Sequence, residues 1–394
     1  MPIHVAVSFA LESIVEALLK DVTGLDLNAE DERKKTAFHW AAESGLAVCA
    51  RLLLAAGADI TTQDHREYTA LYKASAFGHA SIVKMILEHD KTVKLEKHEI
   101  QCAILFNQKL VIKTYIHAAP RRADRANLIL MQSSAHGRPE LIELAISLGA
   151  DVNFEDSKGR AALLVAVDNG RSTAVQALID AGASITVLDE SGNSLLQVAA
   201  SSQNIFQKRL DNIRHYGESL AATGIPDIHQ LPVHIAYDPR QKFLKRLSHW
   251  IENAPDPLMD LVKDPDFIAA LSEDDEHLDI IRLLLDHGAD LGVKTSEGET
   301  VLHLAFCSAP RLKVLLEKGG QVLDIDARDN QGRSALHYAA AAGNPSAMEV
   351  LLANRADITL RSFRKVSTLH FAVYHPACVK LAIEKGSSTK AVDS

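Results

Sequence analysis

A six-residue phrase that recurs at a nearly fixed interval constrains this chain more than any other feature. The phrase reads TVLHLA at 300–305, SALHYA at 334–339 and STLHFA at 367–372. Related phrases begin at Thr36 and Thr69, and the first residues of the chain also fit. A constant period of this length indicates stacked supersecondary units, because one such unit is too small to bury its own apolar face.

Each phrase begins a predicted pair of helices. Its opening Thr or Ser is a good helix N-cap, and the apolar residues that follow recur at helical spacing. A glycine nine residues after the start suits a helix end, because glycine adopts the left-handed conformation easily. Glycines stand there at 45, 78, 170 and 343, and a Gly-Ala-Asp stop after the second helix occurs at 57–59, 149–151 and 288–290.

The phrase, the glycine and the Gly-Ala-Asp stop together resemble ankyrin repeats. The resemblance implies an all-α fold: an ankyrin-repeat solenoid of stacked antiparallel helix pairs with projecting β-turn segments. It covers nearly the whole chain, which leaves no stretch long enough for a different domain.

We therefore predict that residues 1–394 form a single solenoid. Weaker copies are placed by apolar spacing and by the Gly-Ala-Asp stops. The predicted repeats start near residues 1, 36, 69, 98, 128, 161, 194, 231, 267, 300, 334 and 367. Irregular insertions are expected near 203–230 and near 254–266.

The composition of the chain indicates the cellular compartment in which it acts. No window offers the roughly 18 uninterrupted apolar residues of a membrane span, and the N-terminus lacks the pattern of a signal peptide. The four cysteines stand far apart without CxxC spacing, which favours reduced thiols over disulfides or a zinc site. We expect an intracellular, cytoplasmic protein without membrane contact, and the nucleus remains an open alternative.

No catalytic motif is recognised, although histidine is abundant. Phosphate-binding loops, HExxH and GxSxG are absent from the sequence. The histidines at the fourth place of the phrase are structural in the family that the chain resembles, where they hydrogen-bond between neighbouring repeats. The acidic run at 273–276 lacks the glycine and alternation of a calcium loop. We expect no metal and no cofactor.

The candidate binding residues lie on the first helix of each pair, which in the resembled family contributes to the concave face. Large or charged side chains stand there instead of small ones, and aromatic residues on an open surface are typical binding anchors. The alternative is packing against the next repeat, which we weigh equally for Trp40 and Tyr374 and favour for Phe106 and Phe371. The candidates are Trp40, Glu43, Lys73, Phe77, His136, Asp168, Tyr338, Tyr374 and His375.

Two functions from different classes follow from this surface. The first is an intracellular protein–protein interaction scaffold or adaptor that binds partner proteins through the concave face and the turn tips. The alternative is a small-molecule-binding or catalytic ankyrin protein with a pocket in the concave groove near the degenerate central repeats. Among the concave-face candidates, His136 and Asp168, one repeat apart, are the nearest to an acid–base pair.

The charge of the chain and its first residues bear on two further partners, nucleic acid and a second copy of the chain. The net charge of −9 and the 5% aromatic content disfavour nucleic acid. The apolar residues Met1, Ile3 and Val5 suggest a homodimer through the N-terminal repeat.

Overall fold

The computed structural model describes residues 2–22, 24–89, 97–201 and 276–386. Within these ranges the regular elements are helices, and extended pairing is limited to four isolated antiparallel bridges in the turns. The all-α prediction is confirmed. No helix in these ranges is long and apolar enough to cross a bilayer.

The chain divides into two compact units, each of which is described by itself. Unit 1 comprises Met1–Asp156, Ala161–Ala166 and Thr173–Ala183. Unit 2 comprises Ser157–Arg160, Val167–Ser172 and Ser184–Ser394.

Unit 1 is built from successive helices. They are α1 (Pro2–Ser8), α2 (Glu12–Asp21), α3 (Ala37–Ser44), α4 (Ala47–Ala55), α5 (Ala70–Ala76), α6 (Ala80–His89), α7 (Lys97–Leu105), α8 (Lys109–Ala118), α9 (Arg122–Ala135) and α10 (Pro139–Ser147). Most of α11 (Ala162–Asp168) and of α12 (Ser172–Asp180) also belongs to it.

Unit 2 repeats the same helix-pair arrangement. Its helices are α13 (Leu195–Ala200), α14 (Glu276–Asp286), α15 (Val301–Leu304), α16 (Ala309–Gly319), α17 (Ala335–Ala341), α18 (Pro345–Ala353), α19 (Thr368–Phe371) and α20 (Pro376–Glu384). Short 3₁₀ turns, Ala305–Cys307 and Gly320–Val322, extend α15 and α16.

The ends of these helices follow from the phrase. Thr36 stands in extended conformation before α3, and its hydroxyl accepts from the His39 backbone N–H. Gly45 ends α3 with φ of 72°, a left-handed conformation that a side chain would strain. The predicted start near 128 falls inside α9, which begins at Arg122 without a side-chain cap, because no Ser or Thr stands at 128 to start a helix there.

Packing within each unit uses two recurring contacts. In unit 1, α3 packs against its own second helix α4 and against the next first helix α5, while α4 packs against α6. In unit 2, α17 packs against α18 and α19 in the same way. Apolar side chains on the facing surfaces, such as Phe38, Leu53, Ile82 and Leu336, are almost completely buried. The core therefore runs continuously from pair to pair, as in other repeat proteins.

One helix pair in unit 2 is formed by segments far apart in the sequence. α13 packs against both α14 and α15. In these contacts α14 takes the place of the second helix of the same repeat, and α15 takes the place of the first helix of the next repeat. The predicted repeat starts near 231 and 267, and the predicted insertions near 203–230 and 254–266, lie outside the described residues. The division into twelve repeats stays a prediction.

The N-terminal flank differs from the expectation in one respect. Ile3 is buried against the neighbouring helices, whereas Val5 and Phe9 are exposed. Ile3 is therefore not part of an exposed flank. Phe9, which the sequence analysis did not single out, presents a larger exposed apolar side chain than Val5 does.

Candidate functional site

The fourth-place histidines bridge successive repeats. His39 Nδ1 lies 3.2 Å from the Thr36 backbone nitrogen, whose N–H donates to it, so the ring proton sits on Nε2. His39 Nε2 then donates to the carbonyl oxygen of Tyr68, 3.1 Å away in the following turn. His303 and His337 make equivalent bonds. The predicted structural role is confirmed for these three histidines, and the fourth-place His234 lies outside the described residues.

Burial disfavours the charged form of these rings. It lowers the pKa values of His39 and His303 below the ordinary value, against the opposing effect of the carbonyl that accepts from each ring. The pKa of His337 is lowered by the same cause to about 4. At neutral pH these imidazole rings are therefore uncharged.

The side chains at the fifth place of the six-residue phrase contact an aspartate in the turn before their own helix. The Trp40 indole N–H donates to Asp31 Oδ2 at 2.9 Å, and Lys73 Nζ lies 3.0 Å from Asp64 Oδ2. In unit 2, the hydroxyl of Tyr338 donates to an aspartate at the equivalent place in its turn, at 2.9 Å. Each bond fixes a turn to the first turn of a helix.

The same aspartates shape their turns through the other carboxylate oxygen. Asp31 Oδ1 accepts from the backbone N–H groups of Arg33 and Lys35, each at 2.8 Å. Burial raises the pKa of Asp31, but the Lys35 N–H and the Trp40 indole more than offset it, so the pKa lies below its ordinary value. The carboxylate therefore stays charged at neutral pH.

Charged side chains converge between the first two of these turns. A cavity of about 350 Å³ is lined by Arg33, Lys35, Glu43, His65, Arg66 and Lys73. We call these six residues the charged cavity. All of them belong to unit 1.

An ion-pair network crosses the floor of the charged cavity. Glu43 Oε2 lies 2.6 Å from Lys35 Nζ and 4.0 Å from Lys73 Nζ. Lys73 also pairs with Asp64, whose side chain is completely buried. Lys35 Nζ lies 4.5 Å from the centre of the Trp40 ring, a cation–π contact that holds the ammonium in place.

The two arginines stand at equivalent places in consecutive turns, two residues after Asp31 and Asp64. Both are exposed, and neither guanidinium has an ion-pair partner among the residues that the structure describes. The turns themselves are joined, because the His65 backbone N–H donates to the Arg33 carbonyl oxygen at 3.0 Å.

Exposed aromatic rings lie at the ends of two successive first helices in unit 1. Phe77 follows α5 and is 55% exposed, and Phe106 follows α7 and is 60% exposed. The expectation that Phe106 is packed is wrong, because α7 ends before it and leaves the ring on the surface. Phe371 is packed as expected, with its ring 5.2 Å from that of His337.

An ankyrin-repeat family model, which describes three copies of the repeats, matches residues 3–97, 130–211 and 267–362. The chain belongs to the ankyrin-repeat family. It is 39% identical over 88 residues to "Neurogenic locus notch homolog protein 1" of Danio rerio, covering 22% of this chain and 4% of that protein. It is 34% identical over 127 residues to human "Ankyrin repeat and SOCS box protein 16", covering 29% of this chain and 27% of that protein.

The matched parts of these relatives are short. The chain spans under a third of the length of each relative named here. Among solved structures, the human ASB11 ankyrin repeat domain is 21% identical with a TM-score of 0.40, over 50% of this chain and 90% of that one.

A second bridge between ankyrin repeats accounts for His375. The residue just before the second helix of one repeat donates to a backbone carbonyl at the end of the first helix of the preceding repeat. His375 Nε2 lies 3.0 Å from the Ala341 oxygen, and Gln108 Nε2 donates to the Ala76 oxygen at 3.0 Å. His375 therefore has a structural contact, whereas its neighbour Tyr374 is 87% exposed.

His136 and Asp168, the remaining candidates, are assigned to different units. His136 follows α9 in unit 1 and is half-buried, whereas Asp168 ends α11, belongs to unit 2 and is exposed. An acid–base role for them stays a prediction. In the part of the chain that is described, no group of three or more His, Cys, Asp or Glu side chains is arranged to hold a metal ion.

Two of the six residues around the charged cavity were predicted as binding residues from the sequence. These are Glu43 and Lys73 on the ankyrin helices, whereas Arg33 and Arg66 in the turns were missed. One signal was present: the two arginines stand 33 residues apart, which is the repeat period.

Proposed function

We propose that this ankyrin-repeat chain is a protein-binding module, a scaffold or adaptor, whose partner docks on unit 1. The docking face runs from the charged cavity to the exposed rings of Phe77 and Phe106. Lys73 and Phe77 are four residues apart at the end of α5, so both lie on one side of that helix.

The exposure of the two rings carries the proposal. Full burial of a phenylalanine contributes about 1.5–3 kcal/mol, and a partner that covers rings just over half exposed would recover about half of this for each. Aromatic anchors beside a fixed polar surface are typical of protein interfaces. Small-molecule pockets are lined mostly by apolar side chains, which the charged cavity lacks.

The proposal includes an intracellular location. All four cysteines are free, and Cys49, Cys102 and Cys378 are buried. Reduced, buried thiols suit the reducing interior of a cell, and we take the cytoplasm as the working compartment.

Site-specific photo-crosslinking tests the docking face. A photoreactive phenylalanine analogue replaces Phe77 or Phe106 in the full chain, and the matched controls carry it at Lys84 or Lys113, which are exposed on the second helices α6 and α8. We expect the same protein to be crosslinked from both aromatic positions and from neither control. Equal crosslinking from all four positions, or none from 77 and 106, would count against the proposal.

A further inference from the structure

The charged cavity has more positive than negative charge in its lining. Arg33, Lys35, Arg66 and Lys73 are basic, and Glu43 is the acidic residue that lines it. The whole chain, in contrast, carries a net charge of −9. A positive cavity in an acidic protein attracts anions locally, while the overall charge repels polyanions such as nucleic acid.

The two lysines are already neutralised, whereas the two arginines are not. Lys35 is held by Glu43, and Lys73 is held by the buried Asp64. The guanidinium groups of Arg33 and Arg66 therefore supply the available charge. The fixed planar fork of a guanidinium matches a carboxylate or a phosphate with two parallel hydrogen bonds.

The backbone holds both arginines in matching positions. The Arg33 N–H donates to Asp31 Oδ1 at 2.8 Å, and the Arg66 N–H donates to Asp64 Oδ1 at 2.9 Å. The hydrogen bond from His65 to the Arg33 carbonyl locks one turn onto the next. Because these turns are already ordered, little backbone entropy is lost on binding, which favours affinity.

We propose that the charged cavity binds two acidic side chains of a peptide segment in the partner protein, one on Arg33 and one on Arg66. This inference rests on the proposed function and specifies the chemistry of the partner. Stacked repeats lie about 10 Å apart. The two acidic groups therefore stand about three residues apart in a peptide of polyproline II conformation, where one turn of three residues rises about 9 Å and returns the side chain to the same side. The acidic group is a carboxylate or a phosphorylated hydroxyl, which present the same oxygens to a guanidinium.

Fluorescence anisotropy with defined peptides tests the proposal on the full chain. The probes are fluorescein-labelled peptides with a Ser-Gly background and two residues three positions apart: glutamate in one, phosphoserine in another and glutamine in the third. The variants are R33Q/R66Q and the control K84Q/K113Q, which removes the same charge from exposed residues of the second helices. All four side chains are exposed, and thermal unfolding checks that each variant folds.

We expect the glutamate or phosphoserine peptide to bind the wild-type chain and the control, with affinity that falls as salt rises. R33Q/R66Q should weaken that binding at least about tenfold, since both charged contacts are lost. Tighter binding of phosphoserine than of glutamate would identify a phosphorylated partner, and the reverse would identify an acidic one.

Three results would overturn the proposal: equal affinity for the glutamine peptide, unchanged affinity in R33Q/R66Q, or binding of single-stranded RNA or anionic vesicles through these arginines with no binding of either acidic peptide. Failure of the proposed function would instead abolish crosslinking from positions 77 and 106, so the two failures are distinguishable. If R33Q/R66Q still crosslinks the wild-type partner from positions 77 and 106 but no acidic peptide binds, the docking face stands and the acidic specificity is wrong.

Discussion

Gln197 and His337 make the same pair of hydrogen bonds in two different repeats. Gln197 Oε1 accepts from the Ser194 N–H at 2.8 Å, and His337 Nδ1 accepts from the N–H of its own capping serine at 3.0 Å. Gln197 Nε2 donates to the Val293 oxygen at 3.0 Å, and His337 Nε2 reaches the Leu360 oxygen at 3.2 Å. Glutamine therefore replaces histidine at this place without changing the bonds, but it does not titrate.

The first prediction is that acid destabilises the fold through the fourth-place histidines. The folded-state pKa of His337 is about 4, below the ordinary value of 6.5, so the unfolded chain binds the proton more tightly. Stability is then full above pH 6.5 and is lost as the pH falls from there toward 4. The loss from His337 is about 1.4 kcal/mol per pH unit within that window.

His337→Gln separates this effect from other acid effects. We expect the variant to retain its stability at pH 7 within about 1 kcal/mol, because the two hydrogen bonds persist, and to lose less stability than the wild type between pH 6.5 and 4.5. Urea unfolding at a series of pH values, followed by helical circular dichroism, measures both. Parallel curves for the variant and the wild type would contradict the assignment.

The second prediction concerns the glycine that ends a first helix. Gly78 has φ of 83°, and a Cβ added there would meet the Gln108 side chain, which donates to the Ala76 carbonyl. Gly57 has a similar φ of 89°, and an added Cβ there meets nothing within 4 Å. Both alanine variants suffer the backbone strain of about 1 kcal/mol, and only Gly78→Ala also displaces the bridge.

We expect Gly78→Ala to be less stable than Gly57→Ala by about 1 kcal/mol, the usual net contribution of a hydrogen bond. Thermal unfolding of the two variants side by side provides the measurement. Equal destabilisation would mean that the bridge from Gln108 contributes nothing to the stability of unit 1.

Sequence reasoning reached the repeating architecture because the period imposes it. The capping residues, the fourth-place histidines and the helix-ending glycines act within a repeat or between neighbours, so their roles follow from their position in the phrase. Phe106 was misjudged because its exposure depends on where α7 ends, which the apolar spacing alone does not reveal. Arg33 and Arg66 were missed because turn residues acquire a shared cavity only when the turns stack.

The third prediction follows from the pairing of α13 with α14. Because α13 packs directly on α14 and α15, we expect a chain in which residues 203–274 are replaced by a linker as short as that between α17 and α18 to keep the helix content of unit 2. Hydrogen exchange of the α14 amides measures this. Loss of protection there would show instead that the repeats predicted near 231 and 267 are required for the core.

A single substitution tests the packing of α13 in the full chain. Arg311 is completely buried, and its Nη1 donates to the carbonyl oxygens of Ala199 and Ser201, at 2.7 and 3.1 Å, at the end of α13. Arg311→Met leaves the buried Ala199 carbonyl without that donor, which destabilises by about 1–3 kcal/mol, and the half-buried Ser201 carbonyl adds less. We expect α14 to lose protection in this variant even when residues 203–274 are intact.

The fourth prediction concerns the floor of the charged cavity. Lys73→Met leaves the buried Asp64 carboxylate without its cation, and removing one partner of a buried pair destabilises by about 3–5 kcal/mol. Asp64→Asn in the same chain removes the charge but keeps an oxygen that accepts from the backbone N–H groups of Arg66 and Tyr68. The double variant D64N/K73M should therefore recover most of the loss, because no buried charge remains unpaired. Urea unfolding of the wild type, K73M and D64N/K73M measures the recovery, and a double variant no more stable than K73M would show that Lys73 acts through Glu43 rather than through Asp64.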